Sequence, residues 1–127
     1  MRLCNHKTSF EANGVVFECI LDPNPSKDKL PRYNFTASKH NLELAIGQLF
    51  IKNDEIRGLV DIRALKQGEG CGRVVVKALQ KLSAEMLIYD IKEQARGFWE
   101  KMGYELVIEK GLLMGVAREL KVGRDIS

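Results

Sequence analysis

The sequence predicts an α+β domain (α/β in the broad sense): a mixed, mostly antiparallel sheet with at least two helices. Three observations carry this. Strand-like apolar runs separated by turn dipeptides fill the first half. A glycine-rich segment at 67–73 then opens onto a helical period. The remainder reads strand, helix and two closing strands. At 127 residues, 45% hydrophobic and 29% charged, the chain suits one domain over 1–127 with one core.

Each element has a local reason. Phe10–Ala12 and Val15–Ile20 flank Asn13-Gly14, a favoured two-residue hairpin turn. Residues 22–31 hold Pro23, Pro25 and Pro31 among charges and read as a loop, so the first 40 residues should contain no helix of three turns. Tyr33–Ala37 and Leu42–Ile51 read as strands, with Gly47 a candidate bulge. Asn53-Asp54 turns the chain into a strand over Ile56–Ala64. After the glycines, Val75, Ala78, Leu79 and Leu82 share one helical face. Met86–Tyr89 is a short apolar strand. Ala95, Phe98, Trp99 and Met102 fall at i, i+3, i+4 and i+7 of a second helix, which Gly103 stops. Tyr104–Ile108 and Leu112–Ala117 close the fold around Lys110-Gly111. The strand–loop–helix–strand unit needs a crossover, so its two strands should be parallel.

Bulk properties narrow the function classes. The formal net charge of +3 is too mild for a nucleic-acid signature. Cys4, Cys19 and Cys71 lack the spacing of a disulfide framework or a zinc site, so no metal is expected and a reducing, cytoplasmic setting is. The first residues, with Arg2, Asn5, His6 and Lys7, lack an apolar run, which argues against a signal peptide or membrane association.

Strand, glycine-rich turn and helix N-terminus together suit an anion, because free N–H groups and the helix dipole meet there. Lys66 and Arg73 flank the turn and add positive charge. A Walker loop is excluded, since Gly72-Arg73-Val74 lacks the Lys-Ser/Thr pair. A dinucleotide fingerprint started at Gly70 finds Gly72 but meets Val75 where its third glycine belongs, although Asp90 follows at a suitable distance. A helix-capping turn without ligand is the alternative for the loop taken alone. Cys71 at the helix start has no histidine near it in sequence, so a small tolerated residue is its reading; His6 and His40 read as surface residues.

Gln67-Gly68-Glu69-Gly70-Cys71-Gly72 resembles the Q/R-x-x-G-x-G/A acyl-CoA signature of the GNAT superfamily of N-acetyltransferases. Ala95-Arg96-Gly97-Phe98-Trp99-Glu100-Lys101-Met102-Gly103-Tyr104 resembles a second segment of that family, A-x-x-F-Y-x-x-x-G-F. The resemblance covers Ile56 to about Ile108 and fades toward the N-terminus. It implies one acyl-CoA N-acyltransferase-like domain whose central strands splay apart to admit acetyl-CoA as co-substrate. By position, Ile62 and Ala64 would present backbone groups to the pantetheine arm. Gln67, Gly68, Glu69, Gly70, Cys71, Gly72 and Arg73 would cradle the pyrophosphate, and Ala95 and Phe98 would lie along the cofactor.

The implied reaction is direct transfer of acetyl to an amine acceptor of unstated identity, including one on a protein. Asp90 and Tyr89, ending the strand beside the cleft, are the candidate catalytic residues, with Asp61 and Glu55 behind them. Two departures stand out. Trp99 occupies the place of the family's frequent tyrosine, and an indole N–H is no usable acid near neutral pH. The family's N-terminal helices have no counterpart, which implies an open acceptor side or one completed by a partner chain, a homodimer included. A non-catalytic acyl-CoA-binding or interaction module is the second reading, and a nucleotide-cofactor oxidoreductase the third.

Overall fold

The computed structural model describes residues 7–23, 30–66 and 70–118. Its eight strands form one mixed, mostly antiparallel sheet in the order β1-β2-β3-β4-β5-β6-β8-β7, with two helices. β1 (Lys7–Ala12), β2 (Val15–Leu21), β3 (Arg32–Lys39), β4 (Leu42–Lys52) and β5 (Glu55–Ala64) are an antiparallel meander. α1 (Cys71–Leu82) then crosses to β6 (Leu87–Ile88), which runs parallel to β5. A 3-10 turn (Glu93–Ala95) leads into α2 (Arg96–Lys101), and β7 (Tyr104–Glu109) and β8 (Leu112–Ala117) close the sheet.

The turns follow the residues that favour left-handed backbone. Asn13-Gly14, His40-Asn41, Asn53-Asp54 and Lys110-Gly111 all have positive φ at both positions, the two-residue geometry that matches strand twist. The Asn13-Gly14, Asn53-Asp54 and Lys110-Gly111 turns thus stand where the sequence places them. No helix of three turns occurs among the described residues before position 40; 24–29, most of the proline-bearing segment, lie outside them.

One face of the meander is apolar. Val15, Phe17, Cys19, Phe35, Ala37, Ala45 and Leu49 are buried there in one cluster with Val75, Val76, Ala78 and Leu79 of α1. Removal from water contributes roughly 1.5–3 kcal/mol for each Val, Leu or Phe here, and roughly 0.8 kcal/mol for an alanine methyl. Leu82 departs from expectation: it shares the buried arc of α1 but is the last residue of the helix and is 43% exposed. Val76 takes a core place instead. α2 sits beside α1, where Gln80 Nε2 donates to the Met102 carbonyl at 2.9 Å, and Trp99 is buried edge-on against Tyr104. The opposite face of the meander carries no helix among the described residues; Glu18, Ile20, Ile46, Asp61 and Arg63 are exposed on it.

Gly47 is not a bulge. It pairs regularly with Phe35 and Ile62. It is glycine because a Cβ there would collide with the Asp61 carbonyl and lie 2.7 Å from the Phe35 ring. The irregularities lie at other residues: Leu44 is an extra residue of β4 opposite β3, and Arg57 and Val60 are extra residues of β5. At Val60, Gln48 pairs with Asp61 but Leu49 with Leu59.

Candidate functional site

The bulge at Val60 shapes the centre of the molecule. β5 and β6 share only two pairs, Gly58↔Leu87 and Leu59↔Ile88, followed by a hydrogen bond from Tyr89 N to the Leu59 carbonyl. An extra residue bends a strand and ends its pairing, and here the pairing ends at that residue. β6 is consequently shorter than the apolar run Met86–Tyr89, because past Ile88 the chain turns toward β8: Ile91 N bonds the Leu113 carbonyl. Asp90 makes the turn at φ 51°. Between the parted strands lies a cleft of about 830 Å³.

The cleft is walled from both faces of the sheet. Ala95, Phe98 and Trp99 approach from the helix side, and Gln48, Asp61 and Arg63 from the open side. Alternation along β5 turns Ile62 and Ala64 toward the helices and Asp61 and Arg63 away from them. Gly72 faces Phe98 across the two helices, where a Cβ would meet the ring in ordinary contact at 3.8 Å. Where α1 begins, a second cavity of about 580 Å³ adjoins the cleft through Ala64, Gly72 and Phe98. Lys66, Arg73 and Lys101 line it, drawn from three parts of the chain, with no acidic residue among the described lining. None of the three has an ion-pair partner among the described residues. Lys101 carries no mark in the sequence: it stands at the end of α2, which packs beside α1, and helical spacing alone gives no sign of that neighbour.

Of the residues read as cofactor-binding, Ile62, Ala64, Gly70, Cys71, Gly72, Arg73, Ala95 and Phe98 all line one or both of these cavities. Gln67, Gly68 and Glu69 lie outside the described residues, as do Cys4 and His6. Gly70 caps α1 in the left-handed region at φ 72°. Asp90 and Tyr89 both border the cleft. The Asp90 carboxylate is 3.4 Å from Lys92 Nζ. The Tyr89 ring lies over Gly58 and meets Phe50 edge-on at 5.2 Å, so its position is fixed by packing. Glu55 is at the far end of β5, opposite Lys52 and 3.8 Å from Arg57, and has no place at the cleft. His40 is exposed in the turn after β3. No group of three or more His, Cys, Asp or Glu forms among the described residues, and no described helix is long and apolar enough to cross a membrane.

Two buried groups away from the cleft titrate abnormally. Burial pushes the Cys19 thiol up to about 12. Burial also raises Tyr104, with the Gln80 side chain opposing the shift; Gln80 Nε2 donates to the Met102 carbonyl, and the Tyr104 hydroxyl has no partner in hydrogen-bond geometry among the described residues. Groups raised in the folded state leave stability unchanged below their unfolded pKa and lower it as pH rises toward the folded value. The urea midpoint should therefore fall steadily above pH 9, and Cys19→Ala should flatten the early part of that fall. An unchanged profile in Cys19→Ala would refute the assignment.

Comparison with family models, curated proteins and solved structures finds no match to this chain.

Proposed function

We propose that the chain binds acetyl-CoA between β5 and β6 and transfers the acetyl group to an amine, as its resemblance to GNAT N-acetyltransferases implies. The observation that carries this reading is the parting of β5 from β6 after two pairs, directly beside a pocket whose described lining holds three cations and no acid. Those cations and the start of α1 suit the phosphates. The partly apolar stretch of the cleft lined by Ile62 and Phe98 suits a pantetheine arm. Past Leu59, β5 has no strand partner on its β6 side among the described residues, so backbone N–H groups there serve to polarise the thioester carbonyl. The acceptor nitrogen, having lost a proton, attacks that carbonyl. An N–C bond forms, the C–S bond breaks, and the thiolate leaves and is protonated. Asp90 and Tyr89 remain the candidates for handling protons. Calorimetric titration with acetyl-CoA tests the reading, and absence of binding overturns it.

A second reading, a binding module without turnover, draws on Trp99. It is 5% exposed and held between Phe98 and Tyr104 at centroid distances of 4.9 and 5.8 Å. Its role is then packing. Trp99→Phe should cost about 1–3 kcal/mol of stability and slow transfer by less than the roughly hundredfold that loss of a general acid brings. Trp99→Tyr should be faster than the parent if thiolate protonation limits the rate. Binding without transfer to any amine, in both parent and Trp99→Tyr, would favour the module.

A further inference from the structure

The side of the cleft away from the helices carries two neighbouring polar side chains to which the proposed reaction gives no role. Gln48 on β4 and Asp61 on β5 are direct cross-strand partners, so their side chains stand together on the open face at the mouth of the cleft. Gln48 Nε2 donates to Asn34 Oδ1 at 2.9 Å and approaches Asp22 Oδ2 at 3.5 Å. In this orientation Nε2 turns toward β3, beside the acceptor-only Asp22 carboxylate, and Oε1 is left to accept from a donor. Asp61 is exposed and has no hydrogen bond or ion pair among the described residues. Two acceptors side by side, one of them charged, match an alkylammonium group.

The same residues join the cleft to a larger surface. Gln48, Asp61 and Arg63 also line a shallow hollow of about 790 Å³ that spreads over the open face toward β1. Its side chains form two cross-strand rows. One runs Ile20–Asn34–Gln48–Asp61 and the other Glu18–Thr36–Ile46–Arg63. From β2 to β5 this is about 14 Å at ordinary strand spacing, far wider than one small amine requires. Hydroxyl, amide and guanidinium groups on these rows suit peptide C=O and N–H groups.

We propose that the acceptor is a lysine side chain presented on a polypeptide, which lies across the open face of β2–β5 and places its ammonium against Asp61 and Gln48. This rests on the acetyl-CoA reading, because the amine must meet the thioester inside the cleft. Asp61 and Gln48 act here as acceptor-binding residues.

The test uses the whole chain, a blocked heptapeptide with one central lysine, and n-butylamine. Asp61→Asn should raise KM for both amines at least about tenfold, the scale of one charged hydrogen bond, with acetyl-CoA affinity unchanged within about twofold. Asp61→Glu should recover part of the loss. Glu18→Lys, three strands away, should raise KM for the peptide several-fold and leave butylamine unaffected. Normal acetyl-CoA binding with an unchanged acceptor KM in Asp61→Asn overturns the proposal. Equal effects of Glu18→Lys on both amines overturn its polypeptide part. Loss of acetyl-CoA binding in the parent would instead refute the transferase reading. If the parent transfers to neither amine, backbone resonances of Gln48 and Asp61 that stay still during peptide titration also overturn the subsite, and resonances that shift support it.

Discussion

Gly47→Ala is expected to destabilise the protein by about 3 kcal/mol or more, the upper range for forcing atoms into a filled site. The added carbon would enter space held by the Asp61 backbone carbonyl and the Phe35 ring. Rings can shift, but the carbonyl belongs to the strand whose bulge shapes the cleft, and moving it disturbs the β4–β5 ladder. Gly97→Ala is the control. It lies inside α2 with nothing within 4 Å of the new carbon, and alanine there should gain roughly 0.5–1 kcal/mol from helix propensity. Urea denaturation of both variants reads the contrast. A Gly47→Ala midpoint equal to the parent's would show that β4 and β5 separate more easily than their packing implies.

Gly70→Asp is expected to weaken acetyl-CoA binding at least tenfold, about 1.4 kcal/mol, while the fold survives. No atom lies within 4 Å of the new Cβ, so the residue has room. Its φ of 72° is left-handed, which costs a non-glycine residue roughly 1–2 kcal/mol, with Asp and Asn the most tolerant. The carboxylate would stand beside Cys71 and Arg73 at the start of α1, where the phosphates are proposed to sit. Gly70→Asn separates shape from charge: it should fold like the Asp variant and keep most of the affinity. Equal losses in both would attribute the effect to backbone strain, and unchanged affinity in folded Gly70→Asp would remove the site from this loop.

Much of the architecture is legible in the sequence because it is local. Asn13-Gly14, Asn53-Asp54 and Lys110-Gly111 specify their own turns, and period-two runs specify the strands between them. The parallel β5–β6 arrangement follows from the crossover alone. The errors fall where a residue's fate depends on a distant partner. Gly47 carries the signal of a bulge, but its cause is the Phe35 ring and the Asp61 carbonyl on the two flanking strands, while the bulge that ends the β5–β6 ladder is at Val60, which has no local mark. Leu82 and Val76 exchange roles because position along α1, as well as angle around it, decides burial. The helix-side lining of the cleft is readable from two motifs. Lys101 and the Gln48–Asp61 pair are not, since they arise from packing and strand register across long stretches of chain.

The two-pair junction between β5 and β6 has a consequence for how the molecule assembles. Every pairing within β1–β5 joins strands adjacent in the chain, and such neighbours meet early because little loop entropy opposes them. β7 and β8 form a second local unit. Joining these two units into one sheet waits on α1 crossing between them, and the β5–β6 ladder that then forms is short. Amides at Leu59, Ile88 and Tyr89 should therefore gain hydrogen-exchange protection later in refolding than those of β2–β4, and lose it at lower denaturant. Occupation of the cleft by a ligand that touches both walls would stitch this seam, so protection there should rise more than anywhere else in the sheet when such a ligand is added.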